Sequence, residues 1–204
     1  MDVRPPYGVR ELADATALAP GYISRLLDSL DDDALVDRSK RGRVETVDIA
    51  GMLRRWVETY DVFSSNGAAT FLAPRGASQT LPLLSGLPEA EQSAVTGSFA
   101  AVRVAPIAAP AMLAVYCDNA NAIAGALDLI PTDEGANVVI LRPFDPVVWQ
   151  RTKEQDGIRY VAPSRAAVDC LTGNGRMPAE GEALLDWMLA NEQEWRLESL
   201  AEVT

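Results

Sequence analysis

The chain contains no histidine. That absence excludes Ser-His-Asp and Cys-His catalysis, histidine-liganded zinc and an imidazole pH switch together. Cysteine is scarce: Cys117 and Cys170 lie 53 residues apart and in no CxxC pair, which predicts two reduced thiols rather than a disulfide framework. Lysine occurs only as Lys40 and Lys153. A restriction-nuclease-like site would want a lysine two residues after a carboxylate, and the residues at that spacing are Arg38 and Arg151. Long apolar runs are missing as well. The longest charge-free one, Val104 to Cys117, has 14 residues and carries Pro106 and Pro110, too short and too broken to cross a bilayer. No basic stretch followed by an apolar one stands at the start, so no signal peptide is expected and the expected compartment is the cytoplasm.

What is present is an ordinary globular composition. The 204 residues are 48% hydrophobic and 23% charged, which suits one large domain or two small ones with a core that needs no staples. Acidic side chains outnumber basic ones 29 to 18, a net charge of −11 that argues against non-specific nucleic-acid binding. The charge is unevenly spread. Residues 1–60 carry −2 and residues 61–204 carry −9. The pattern changes at the same place, from closely spaced helical periodicities to strands and helices mixed around glycine and proline. Two domains are expected, 1–60 and 61–204, with residues 64–82 as an irregular opening to the second.

In the first part, Val9, Leu12, Ala13 and Thr16 recur at i, i+3, i+4 and i+7, one face of a short helix. A turn over Ala17 to Gly21 follows, and Ile23, Leu26, Leu27 and Leu30 repeat the spacing in a second helix ended by Asp31-Asp32-Asp33. Leu35-Val36 and the alternating Val44 to Asp48 read as strands. Between them lies Arg38-Ser39-Lys40-Arg41-Gly42-Arg43, four positive charges in six residues. Helix, turn, helix, strand, basic turn, strand is the order of a winged helix-turn-helix.

That order has a physical purpose. A recognition helix, here about residues 20–30, enters the major groove with a polar outer side while its inner side holds the first helix. The outer side offers Gly21, Tyr22, Ser24, Arg25, Asp28 and Ser29. Arg25 suits a bidentate contact to guanine, and Tyr22 and Ser24 suit a phosphate or a base edge. Arg38, Lys40, Arg41 and Arg43 of the basic wing, residues 38–43, would displace counterions along the backbone or the minor groove. Ala13 supplies the small residue that the helix crossing needs, and Ala17 stands at the turn position usually held by glycine. Two features stand against this reading. An αα-hairpin with a basic loop also serves as a packing unit or a protein-docking module, and Asp31 to Asp33 oppose the helix dipole and repel phosphates.

A winged helix normally opens with a further helix of a dozen or so residues. Before Val9 there are only Met1 to Gly8, with Pro5-Pro6, which cannot form it. Either that start lies outside the sequence or another segment fills the space. The candidate is the helix Ile49 to Tyr60, with its stripe of Ile49, Met52, Leu53, Trp56 and Tyr60, which otherwise reads as the connector between domains.

The second part is predicted to hold strands at 69–72, 112–116, 137–141 and 158–161. Helices are predicted at 97–101, 119–127 and 164–171 and after Pro178, with Leu184, Leu185, Met188 and Leu189 inward. Strands alternating with helices indicate an α/β or α+β domain. No GxxxxGK[ST] or GxGxxG loop occurs, and Gly173 to Arg176 reads as a turn. Asp128, Asp133, Glu134 and Asp145 are the carboxylates that a metal would have to gather, and strand-end capping or plain surface charge is the commoner reason for such residues. No catalytic residue, metal site or cofactor is expected.

Several stretches together resemble a family. Gly21 to Leu27, Arg38 to Val47 and Leu53 to Trp56 resemble winged-helix regulators of the AbiEi antitoxin type. Ala94 to Ala101, Gly135 to Val139, Val161 to Ser164, Gly175 to Glu180 and Trp187-Met188 are similar to the C-terminal half of such proteins. The resemblance implies a winged helix followed by a mixed α/β domain. It implies an autoregulating repressor of a type IV toxin–antitoxin or phage-defence operon that binds double-stranded DNA near its own promoter. Its functional partner would be a nucleotidyltransferase-like toxin, with no membrane involvement. The alternative is an interaction module that docks a partner protein without binding DNA by itself.

Overall fold

The first helices form where the periodicity predicts them. In the computed structural model, which describes residues 1–87 and 92–203, α1 spans Val9–Thr16 and α2 spans Pro20–Asp32. Glu11 turns back to accept the Gly8 N–H at 2.7 Å, satisfying one of the free donors at the start of α1. Pro20 opens α2, where its missing N–H removes no helix bond. Strands β1 (Val36–Arg38) and β2 (Val44–Val47) pair antiparallel, and Tyr7 adds a bridge to Val44. Helix α3 then covers Ile49–Val57, starting from Asp48, whose carboxylate accepts the Gly51 N–H at 2.9 Å. It ends three residues short of Tyr60 and buries Ile49 and Leu53.

Beyond residue 59 the chain builds a seven-stranded mixed sheet flanked by helices. Its strands are β3 (Gly67–Leu72), β4 (Ser93–Thr96), β5 (Leu113–Cys117), β6 (Ile130–Pro131), β7 (Val138–Arg142), β8 (Lys153–Gln155) and β9 (Ile158–Tyr160). They lie in the order β6-β3-β7-β5-β4-β9-β8. The β5–β7 and β4–β9 pairs are parallel and the others antiparallel. The centre is β5, buried along its whole length, which is why Leu113 to Cys117 is a continuous apolar run without alternation. Short α4 (Ala77–Thr80), α5 (Gly97–Ala101), α6 (Ala120–Ala126) and α7 (Pro163–Leu171) follow the strands, and α8 covers Met177–Ala190. Residues 64–82 are more regular than expected, since they hold β3 and α4. The fold is mixed α/β.

A single carboxylate joins these layers. Asp169 of α7 is fully buried and accepts three hydroxyls: Thr96 Oγ1 at 2.6 Å, Tyr60 Oη at 2.7 Å and Tyr116 Oη at 2.9 Å. Arg165, one turn earlier, sets its Nε 3.3 Å from the same carboxylate and donates to Tyr116 Oη. Asn66 Nδ2 donates to Tyr60 Oη at 2.9 Å. Burial pushes the Asp169 carboxyl up, against the opposing pull of Arg165 and the three hydroxyl donors. Next to it, burial likewise raises the Cys170 thiol; both cysteines are buried and they form no disulfide with each other.

The division of the chain differs from the expected 1–60 and 61–204. One unit comprises Met1–Glu58 together with Met188–Thr204, the other Thr59–Trp187. The returning segment carries α9 (Glu192–Trp195), with Trp195 buried and its Nε1 donating to the Met188 carbonyl at 2.8 Å. Leu197 then runs parallel to Val3, with Arg4 N–H donating to Leu197 O at 2.8 Å and Leu197 N–H to Asp2 O at 2.9 Å. Arg196 donates to the Val3 carbonyl at 2.9 Å. Leu197, Leu200 and Val203 pack against the cluster of Val3, Tyr7, Ala13, Ile23, Leu27, Val36 and Val44. The core of the helix–hairpin unit is thus completed from the far end of the chain. Periodicity within the first 60 residues holds no trace of that pairing.

Two outcomes follow from these contacts. Asp169→Asn leaves Arg165 in the interior without its counter-charge and is expected to lower stability in urea by about 3 kcal/mol or more. Truncation after Arg196 strips three apolar side chains from the first unit. Its expected effect is a loss of about 3 kcal/mol, with backbone amide exchange accelerated in α1 and α2 but not in β5 and β7.

Candidate nucleic-acid interface

Helix α2 presents the predicted outer side to solvent. Gly21, Tyr22, Arg25 and Ser29 are exposed and Ser24 is partly so. Ile23 and Leu27 are buried beneath them, packed in the cluster that contains Ala13 of α1. Leu26 departs from the expected inner face and is 41% exposed. It sits about 60° round the helix from Ile23, at the margin of the buried stripe rather than within it. With Tyr22, four residues earlier on α2, it makes a pair of exposed apolar side chains, and Leu18, in the turn before the helix, is exposed as well. Asp31, Asp32 and Asp33 are exposed at the C-terminal end, where the helix dipole is already negative.

The basic turn divides into two kinds of cation. Arg38 is turned back onto α2, with Nη1 2.5 Å from Asp28 Oδ1. Arg43 Nη1 lies 2.9 Å from Glu11 Oε2, and its Nη2 donates to the Pro6 carbonyl at 2.9 Å. Both guanidiniums brace the hairpin against the helices, and each is offset by a carboxylate. Lys40 and Arg41, at the tip, are exposed and make no ion pair among the described residues. The same holds for Arg25 on α2 and for Arg10 on α1, a cation that the sequence reading passed over. The turn itself is closed by Gly42 N–H to Ser39 O and Ser39 N–H to Arg43 O, both 2.8 Å, with Gly42 at φ 76°, a left-handed conformation that favours glycine.

Apart from Asp28, which pairs with Arg38, nine residues were singled out in sequence, and they are distributed over α2 and one hairpin of the same unit. Seven of them keep their polar atoms clear of internal ion pairs, while Arg38 and Arg43 are engaged within the unit. The returning segment 188–204 adds one arginine and four glutamates, which takes the unit from −2 to −5. Favourable contact with a polyanion thus depends on the local placement of Arg10, Arg25, Lys40 and Arg41. Among the described residues, no group of three or more acidic or cysteine side chains is placed to hold a metal. No described helix is long and apolar enough to cross a membrane.

Compared with known proteins, the chain matches no family model, no curated protein and no solved structure.

The turn between α1 and α2 provides a check on the geometry. Ala17 caps α1 at φ 55°, ψ 23°, the left-handed region that a Cβ disfavours. Ala17→Gly is expected to stabilise the protein by about 0.5–1 kcal/mol in denaturant titrations, with any duplex affinity unchanged. A loss of stability would contradict the left-handed turn.

Proposed function

We propose that this chain is a sequence-specific DNA-binding transcriptional regulator of winged helix-turn-helix type, acting in the cytoplasm as an autoregulating, antitoxin-like repressor and carrying no catalytic site. The observation that supports it is the pairing of an exposed polar face on α2 with a hairpin tip whose Lys40 and Arg41 have no internal counter-charge. In this reading Arg25 reads a base, Tyr22, Ser24 and Ser29 fix the helix in the major groove, and Lys40 and Arg41 contact the backbone. Arg38 and Arg43 position the wing. The antitoxin-like part rests on the resemblance of the sequence to AbiEi-type regulators, and its partner would be a nucleotidyltransferase-like toxin.

A second reading has its own observation. Leu18, Tyr22 and Leu26 are 41–50% exposed and Asp31 to Asp33 are exposed at the end of α2, a combination that suits a basic protein partner with an apolar groove better than a phosphate backbone. In that case the unit docks a protein without independent DNA binding.

Selection of bound duplexes from a random pool, followed by titration across salt, separates the two. For the DNA-binding reading, Arg25→Ala lowers the discrimination between selected and random duplexes by about tenfold or more. Arg41→Ala weakens binding to every duplex and reduces the salt slope by about one. Arg38→Ala leaves the slope nearly unchanged, because its charge is already offset by Asp28. Absence of any duplex binding at low salt, with stoichiometric capture of a protein that is lost on Leu26→Asp, would favour the docking module instead.

A further inference from the structure

The second unit contains a cleft of about 350 Å3 that plays no part in the proposed DNA binding. Its apolar walls are Phe63, Ala111, Met112 and Met177, the exposed Asn174 and Arg176 also line it, and Ser98 and Glu180 bring the buried polar groups. Two stretches far apart in sequence meet here, the start of α5 after β4 and the turn that leads into α8. Glycine is favoured at Gly97 by its left-handed backbone. A Cβ on Gly97, at φ 61°, would lie 2.9 Å from Met177 Cε, and one on Gly173 would lie 2.6 Å from Met177 Sδ.

Glu180 is 6% exposed and Ser98 5%. The Ser98 hydroxyl donates to Glu180 Oε2. Oε1 has no hydrogen-bond partner among the described residues, yet it is not among the sealed, unpaired buried atoms, so it is open to the cleft. Arg176 stands one helical turn before Glu180, at a spacing suited to an ion pair. Its guanidinium instead donates to the Ala109 carbonyl at 2.9 Å, and no salt bridge to Glu180 forms among the described residues. The carboxylate stands in the first turn of α8, where the helix dipole favours a negative charge, and its Oε1 keeps room to accept from a cationic donor. A bare metal ion would find one carboxylate and one hydroxyl, fewer oxygens than a hard cation takes. An anion would meet the carboxylate itself. The volume and the apolar walls require an organic body.

We propose that this cleft binds a small organic amine, with the ammonium group donating to Glu180 Oε1 and Ser98 Oγ and the apolar body lying between Phe63, Met112 and Met177. The Ser98 hydroxyl spends its own proton on Glu180, which leaves its oxygen free to accept.

The test uses the full chain with 13C-methyl-labelled methionine and the probe 2-phenylethylamine, against 3-phenylpropionate as an equally bulky acid. Saturable shifts of the Met112 and Met177 methyls, with Met52 and Met188 unmoved, are expected with the amine at concentrations about tenfold lower than with the acid. Glu180→Gln keeps the volume and is expected to weaken amine binding by about tenfold. The proposal is overturned by an absence of saturable shifts, by an equal response to the acid, by shifts centred on Met52 or Met188, or by a Glu180→Gln protein that binds the amine as tightly as its parent. If that variant fails to fold, the methyl shifts of the parent protein decide.

Discussion

Asp169 is the constraint on which the larger unit depends. A carboxylate with no contact to water is stable only if every oxygen is satisfied and its charge is offset. Here the three hydroxyl donors come from the segment before β3, from β4 and from β5, and the counter-charge comes from the same face of α7. The position of α7 is therefore set by hydrogen-bond directions as well as by packing. The consequence reaches α8, because Gly181 lies so close to α7 that a Cβ there would stand 2.8 Å from the Leu171 nitrogen. Glu180 precedes that glycine, and Thr96, which binds Asp169, is two residues before Ser98. The floor of the cleft is thus held on both sides by one buried charge.

In the helix–hairpin unit the governing question is which charges are spent internally. The count of +4 over residues 38–43 overstates what a polyanion would meet, since Asp28 and Glu11 offset Arg38 and Arg43. The same pairings explain why those carboxylates stand where they do. Asp28 lies on the exposed side of α2, and its charge is directed into the hairpin. Glu11 both caps α1 and anchors Arg43. Pairs of this kind, each with one well-exposed partner, contribute little stability; their effect is to fix the angle between hairpin and helices. Global charge says nothing about that angle, nor about the two cations left at the tip.

Local structure was largely legible in the sequence because it is written in periods. The spacing of Val9 to Thr16, the alternation of Val44 to Asp48 and the branched run of Val138 to Leu141 each impose one geometry on the backbone. The β8–β9 hairpin was legible too, through Asp156-Gly157, both at positive φ, and was passed over because its flanks are charged. What escaped was non-local. Nothing in Leu197, Leu200 or Val203 marks them as partners of Val3 and Tyr7, since three apolar residues in an acidic tail carry no period. The exposure of Leu26 was misjudged because an i+3 neighbour falls at the edge of a buried stripe as readily as inside it. On the candidate interface, residue types and exposure were readable, but the internal pairing of Arg38 and Arg43 requires the distance between hairpin and helices. The cleft was invisible because its residues lie some eighty positions apart.

The two buried carboxylates of the second unit make an instructive contrast. Asp169 and Glu180 both lie in the interior and both accept a hydroxyl from the start of α5 or the strand before it. Asp169 is saturated: three hydroxyls and a guanidinium leave no direction of approach, and its role is to hold layers together. Glu180 has one hydroxyl, an open oxygen and a neighbouring arginine that lines the same cleft but donates to the Ala109 carbonyl instead. If Glu180 served only packing, a glutamine or an apolar residue would fill the same volume at less desolvation cost. The first turn of α8 favours its negative charge, and its open oxygen leaves a place for a donor that enters the cleft. The distinction between a structural and a binding carboxylate therefore lies in the unfilled part of its coordination rather than in its burial.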